Sequence, residues 1–369
     1  MPFPTPYRNV RRTVCHALAC TLLLTTLPLT AGAKPPKARA TAVASDDTAP
    51  DVITYGRRDD VMRFGAELAA RRGLDPEWVQ QHLAEARFVP NVAKFIMPPP
   101  AGTAKNWALY RSRFVEPVRI RAGVAFWREH EKWLVRAQAM YGVPAEIIVG
   151  VIGVESIYGR QMGNFRVLDA LATLSFDFPT GRKDRSAFFR EELEQFLVMA
   201  RSENLDPLKL KGSYAGAMGM GQFMPSSWNK YAVDFDGDNR IDMNQSPADA
   251  IGSVAHFLAE SGWQRDQPTR FAVNPPVDTA NRAALLAPDI LPSFTVQQFA
   301  ERGAALEEKA AGHQGLLALV ELQNGQAAPS YVAGTANFYA VTRYNWSSYY
   351  AMAVIELGET VGRIHRSQP

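Results

Sequence analysis

P-A-E-I-I-V-G-V-I-G-V-E-S-I-Y-G, residues Pro144 to Gly159, decides how this chain folds. Every residue from Ile147 to Val154 is apolar or glycine. A helix that is apolar on all sides has to lie inside its domain. Pro144 suits the first helical position, where its missing N–H costs nothing, and Gly159 suits the end. The stretch therefore predicts a central buried helix with Glu155 near its last turn. An ionised carboxylate there is costly unless it is paired or kept protonated. A protonated, half-buried Glu is what a glycosidic general acid needs. A structural Glu paired with Arg160 or another cation is the alternative reading.

Helical periodicity extends to both sides. It covers Asp59 to about Arg136, with V-M-R-F-G-A-E-L-A-A-R-R from Val61 and V-A-F-W-R-E-H-E-K-W-L-V-R from Val124. Met97-Pro98-Pro99-Pro100 and Gly102 mark an irregular connection within it. Further helices are expected over Phe188–Arg201, over Pro247–Glu260 with Ser246 as cap and Asp249 in the first turn, and from Tyr349 to about Ile364. Gln264 to about Ala333 differs in character. Phe271-Ala272-Val273, the stretch from Leu316 and the Asn324-Gly325 turn predict a small unit with some sheet. No solenoid-like repeat is present.

The N-terminus carries Arg8, Arg11 and Arg12, an apolar run from Val14 to Leu29, and Ala31-Gly32-Ala33. This is the layout of a secretory signal cleaved after Ala33, and the run is short and polar for a membrane span. Residues 1–33 hold three of the 40 Lys+Arg and none of the 37 Asp+Glu, so the mature chain is near neutral. Nucleic-acid binding thereby loses its electrostatic basis. Both cysteines, Cys15 and Cys20, leave with the signal. Cys20 as a lipidation site fits poorly, because most of the apolar run lies after it. A soluble, periplasmic protein without disulfides is expected, with a Pro/Ala/Thr-rich leader at 34–51.

Three more stretches bear on chemistry. G-S-Y-A-G-A-M-G-M-G-Q-F-M-P-S-S-W, from Gly212 to Trp228, permits close backbone approach and sets the Gln222 amide among apolar neighbours. It suits a sugar hydroxyl or acetamido group, or else a tight turn with a satisfied Gln. The Gly219-x-Gly221 pair lacks the rest of a nucleotide fingerprint. D-F-D-G-D-N-R-I-D-M-N-Q, from Asp234 to Gln245, matches an EF-hand loop. Its candidate ligands are Asp234, Asp236, Asp238, the Arg240 carbonyl, Asp242 and Gln245. Asn239 replaces the usual Gly, though Asn tolerates the left-handed conformation, and Gln245 replaces the bidentate carboxylate. Structural calcium and a solvated acidic turn both remain open. The aromatic run from Asn337 to Tyr350 suits a sugar-stacking wall or ordinary packing. The scattered His82, His130, His256, His313 and His365 give zinc no support.

Taken in order, G-V-E-S-I-Y-G-R, L-D-A-L-A-T-L-S-F, the Gly212–Trp228 stretch, Y-A-V-D-F-D-G-D, D-A-I-G-S-V-A and T-R-Y-N resemble the B-type lytic murein transglycosylases, glycoside hydrolase family 103. The resemblance implies a mainly α (α+β) fold: a lysozyme-like helical core, an N-terminal helical region and a small inserted β-containing unit. The corresponding division is a signal at 1–33, leader at 34–51, helical region at 52–135, core at 136–263, inserted unit at 264–335 and core again at 336–366. It implies catalysis by Glu155, with Tyr110, Ser213, Gln222, Phe223, Tyr344 and Asn345 lining the cleft. An arginine of the family falls on Arg182 or Arg185. Peptidoglycan glycan strands are the implied substrate, other cell-wall enzymes the implied partners, and a monomer the expected state. No cofactor is needed for the chemistry, and calcium would be structural. With one carboxylate where most glycosidases use two, Glu155 would act as acid and then base, giving a 1,6-anhydro end. A muramidase and a non-catalytic murein-binding scaffold are the alternatives.

Overall fold

The computed structural model describes residues 53–98 and 105–368, so the signal and leader readings lie outside the described residues. The N-terminal region begins with helices α1 (Asp59–Arg72), α2 (Pro76–Ala84), α3 (Pro90–Phe95) and α4 (Trp107–Phe114). Local signals place their ends. Asp59 and Asp60 occupy the first turn of α1 and Arg71 and Arg72 its last, complementing the helix dipole. Asp75 caps α2 by accepting the Glu77 N–H, ahead of Pro76. Helix α5 (Pro117–Tyr141) starts where Glu116 accepts the Val118 and Arg119 N–H groups. It departs from helical geometry at His130 (φ −116°, ψ 20°) and stops at Gly142. The division expected at 135/136 thus falls inside one helix, which carries the N-terminal region into the core without a linker.

Helix α6 (Ala145–Ser156) is the predicted central helix, and ten of its twelve residues are buried. Its ends are tighter than expected. Pro144 is the cap rather than the first helical residue, and the helix stops three residues before Gly159, because Ile157 and Tyr158 already turn left-handed (φ 50° and 56°). After it come β1 (Phe165–Arg166), α7 (Val167–Phe176), α8 (Ser186–Ser202), β2 (Lys211–Gly212), α9 (Pro225–Tyr231) and α10 (Pro247–Glu260). Strands β1 and β2 form a two-stranded antiparallel pair. Helix α10 begins and ends where the sequence placed it, with Ser246 Oγ accepting the Asp249 N–H.

The inserted unit contains β3 (Arg270–Asn274), α11 (Thr279–Leu286), α12 (Val296–Glu301), β4 (Ala305–Leu306), β5 (Ala318–Asn324) and β6 (Ala327–Gly334). Its antiparallel sheet runs β4-β3-β6-β5, with Phe271 opposite Ala333 and Val320 opposite Val332. Gly325 (φ 67°) makes the β5–β6 turn. The unit has its own small core of Phe271, Leu285, Phe299, Leu317, Leu319 and Ala333.

Helices α13 (Ala336–Thr342) and α14 (Ser348–Ser367) return the chain to the main core. There α14 lies against α6 at very short range. A Cβ on Gly150 would sit 2.2 Å from the Val354 carbonyl oxygen, and one on Gly358 would sit 2.0 Å from that of Glu146. The glycines are what let the two backbones meet. No single helix among the described residues is long and apolar enough to cross a membrane, and the α5–α6 pair, which qualifies only jointly, is bent by 116°.

Candidate active site

Glu155 sits on the last turn of α6, and three anchors fix that turn. Arg119, only 8 % exposed, donates from Nε to the Gly153 carbonyl at 2.8 Å. Ser156 Oγ donates to the Met220 carbonyl at 2.7 Å and accepts the Gly159 N–H at 3.0 Å. The left-handed Ile157 is a β-branched residue in a region where such residues cost about 1–3 kcal/mol. Strain of this kind, held by surrounding bonds, marks a position whose direction matters.

The carboxyl group itself is half-buried. Tyr350 donates to its Oε1 at 2.7 Å. Among the described residues no cation lies within salt-bridge distance, so the pairing with Arg160 is not made. Burial pushes its pKa up to about 7, against a smaller lowering by the Tyr350 hydroxyl. No second carboxylate contributes to that shift. Near neutrality the group is therefore poised to give up a proton and to take one back, as an acid–base catalyst requires.

Two phenols stand over it. Tyr350 is 2 % exposed and stacks on Tyr344 at 6.2 Å. Burial first, and the Glu155 charge second, push both phenols well above the usual range, so both remain donors. Tyr344 donates to the Gly221 carbonyl, which ties the α13–α14 link to the glycine-rich loop. In that loop Gln222 is left-handed (φ 50°), and its Nε2 donates to the Met162 and Gly219 carbonyls at 3.1 and 2.9 Å. The amide is thus a clamp on the donor side. Ser213 Oγ accepts the Ala215 and Ala217 N–H groups and shapes the turn.

Phe223 differs from the expectation. It is 2 % exposed and packs behind Tyr344 at 5.8 Å, so it backs the wall and does not face a sugar. Tyr110 lies in a half-buried aromatic group with Trp107, Phe114 and Tyr349. Asn345 is half-exposed, and its carbonyl accepts the Ser347 N–H in the turn before α14. Arg182 donates to the Ile96 carbonyl and lies over Phe178; Arg185 lies 4.6 Å over Phe188. Burial, and then the neighbouring Arg182 charge, hold the Arg185 guanidinium below its usual range. Neither arginine shifts Glu155.

A second site lies at the acidic loop. Asn239 does adopt the left-handed conformation (φ 66°). Asp234 accepts the Gly237, Asp238 and Asn239 N–H groups, as a turn-forming first ligand does. Carboxylate oxygens of Asp234, Asp236 and Asp249 converge within 4.8 Å of one another. Asp238 and Asp242 stand outside this trio and accept the N–H groups of Arg240 and of Asn244 and Gln245. Asp238, Arg240, Asp242 and Gln245 line a cavity of ≈ 430 Å³ together with Asp236 of the trio, His130 and Trp133. Glu155 is not among the residues that line that cavity. Asp249, read from sequence only as a first-turn residue, is buried and accepts from Phe235 and Asp242. Burial and the Asp236 charge raise its pKa. Three hard oxygen donors whose mutual repulsion a cation would relieve fit calcium.

Residues 56–359 match the model of the transglycosylase SLT domain. The chain belongs to that family. This transglycosylase is 41 % identical over 315 residues to the membrane-bound lytic murein transglycosylase B of Escherichia coli K12, covering 83 % of this chain and 84 % of the relative. Its fold matches the lytic transglycosylase SltB1 of Pseudomonas aeruginosa with a TM-score of 0.76 at 39 % identity, over 84 % of this chain and 99 % of that one. It also matches the E. coli lytic transglycosylase Slt35 in complex with calcium, with a TM-score of 0.72 at 40 % identity, over 85 % and 95 % of the two chains. The chain is an enzyme, a peptidoglycan lytic transglycosylase, and the mainly α fold with small sheets is as expected.

Sequence reasoning missed Tyr350, Arg119 and Asp249. Tyr350 was visible only as one ring of an aromatic run, and Arg119 had no local signature. Asp249 could have been found by extending the loop search into the helix that follows it.

Proposed function

We propose that this transglycosylase cleaves the β-1,4 bond between N-acetylmuramic acid and N-acetylglucosamine, with Glu155 as the only catalytic carboxylate. The supporting observation is a carboxyl held near neutrality by burial, touched by a phenol and unshifted by any second carboxylate. Glu155 gives its proton to the bridging oxygen as the bond to C1 breaks. The muramic acetamido oxygen covers the positive charge that develops at C1. Ionised Glu155 then takes the proton of the muramic 6-hydroxyl, whose oxygen bonds to C1. The enzyme returns to its starting protonation state, and the product carries a 1,6-anhydro end. Attack from within the same sugar has a large advantage in effective concentration over water.

Tyr344, the Gln222 oxygen, the Ser213 hydroxyl and Asn345 are the groups proposed to orient the sugars, with Tyr110 further along the cleft and an arginine of the 182–185 loop at its rim. Asp234, Asp236 and Asp249 would hold calcium, with the Arg240 carbonyl and Gln245 adjacent. The ion would fix the loop before α10 and take no part in proton transfer. The signal-like N-terminus supports export to the periplasm. Glu155→Gln keeps the shape and removes the proton, so murein cleavage should fall by ~10²–10⁴-fold or more in a folded protein. Near-native turnover by that variant would overturn the assignment.

A further inference from the structure

The inserted β unit meets the helical core through Val320 and Leu322 of β5, through the Arg270–Glu359 ion pair to α14, and at its hairpin tip. A bulge between Leu322 and Asn324 takes Gln323 out of the β5–β6 ladder. One phenol takes up both of its backbone groups. Tyr349 Oη accepts the Gln323 N–H at 2.7 Å and donates to the Gln323 carbonyl at 3.3 Å. The next residue, Asn324, reaches the other way. Its Oδ1 accepts the Ala108 N–H at 3.3 Å in the first turn of α4, while its Nδ2 donates to Ala328 and Ser330 of β6. Gly325 N–H donates to the Lys105 carbonyl at 3.1 Å. The hairpin tip is therefore tied to the start of α4 and the start of α14 together. Between these ties the Tyr349 ring meets Trp107 and Tyr110 edge-on at 6.1 and 5.8 Å.

We propose that the inserted unit is a positioning strut for the catalytic acid: its bulged tip, through Tyr349, sets the first turn of α14 and so the Tyr350–Glu155 hydrogen bond. Bulges commonly re-aim a chain beside active sites. A phenol held at both the N–H and the carbonyl of one residue has little freedom to slide. Tyr350 follows Tyr349 directly, so what fixes one fixes the helical phase of the other. The groups facing Glu155 are Tyr350 from α14 and Tyr344 from the α13–α14 link, with no cation in salt-bridge range among the described residues. Tyr350 is thus the polar contact through which a shift of α14 reaches the carboxyl.

The inference rests on Glu155 being the acid, which Glu155→Gln tests separately. Its own test is Tyr349→Phe, which keeps the ring against Trp107 and Tyr110 and removes the hydroxyl. Turnover of soluble glycan chains is measured across pH, beside Tyr350→Phe, the double variant and Asn324→Ala. Tyr349→Phe should lower kcat about tenfold with KM nearly unchanged, as for a group that aligns a reacting atom. The basic limb should move to higher pH, because weaker donation from Tyr350 leaves burial to raise Glu155. Tyr350→Phe should move the limb in the same direction, and adding Tyr349→Phe to it should move it no further. Asn324→Ala should act in the direction of Tyr349→Phe. A lowered Tm with wild-type kcat and limb, or additive limb shifts in the double variant, would reduce the strut to ordinary packing while leaving Glu155 its role.

Discussion

Glu155→Gln should stabilise this enzyme at alkaline pH, and the size of the effect follows from the site. Burial raises the Glu155 carboxyl from its ordinary 4.5 to about 7. Between those values the folded chain holds a proton that the unfolded chain has released. Stability therefore falls as pH rises through that window, and the whole cost is present above about pH 7. At about 1.4 kcal/mol per pKa unit the displacement amounts to ~3 kcal/mol. Partial contact of the carboxyl with solvent trims this to ~2 kcal/mol. Gln carries no charge at any pH and still accepts the Tyr350 hydroxyl, so the variant should recover that amount at pH 8 and nothing near pH 4. For a chain of this size the gain corresponds to a Tm rise of roughly 3 °C. Urea unfolding of both proteins across pH 4 to 8 measures it. A stability difference that does not change with pH, or one that favours the wild type at pH 8, would refute the claim that this carboxylate is held at a cost.

Calcium should raise the Tm, because the ion binds the folded loop and not the unfolded chain. Asp234→Asn or Asp249→Asn should abolish the rise while leaving turnover in place. A melt unchanged by millimolar calcium would leave the loop as a solvated acidic turn. The exported protein should begin near Lys34 and contain no cysteine, which N-terminal sequencing of periplasmic material checks. The E. coli relative is called membrane-bound, so a lipid-modified N-terminus at Cys20 is the specific result that would contradict a soluble form.

Much of this fold was legible because its decisive segment is extreme in composition. An all-apolar helix has one place to go, and α6 is there. Helix α10 was equally legible, since Ser246, Pro247 and Asp249 are local signals that act over one turn. The ends of α6 were harder. Its stop at Ser156 depends on the Met220 carbonyl, 64 residues away, which no local signal announces. The same holds for the site. Glu155 could be singled out by its cost, whereas Tyr350 earns its role from a contact across 195 residues. Phe223 was implied as a lining residue by the family resemblance alone, and its ring lies in the core, where no local feature of the sequence places it. Asp249 was placed correctly in the first turn of its helix. Its position in a helix cap gave a sufficient local explanation and hid the long-range one.

The account's central claim is that a single carboxylate serves as acid and then base, with the muramic 6-hydroxyl as the second nucleophile. Mass spectrometry of soluble products from purified murein addresses it directly. The two outcomes differ by the mass of one water per cut. The account predicts 1,6-anhydromuramic ends as the main product, and their disappearance with Glu155→Gln. Predominantly reducing ends would contradict it, because water and not the muramic 6-hydroxyl would then be the nucleophile that reaches C1.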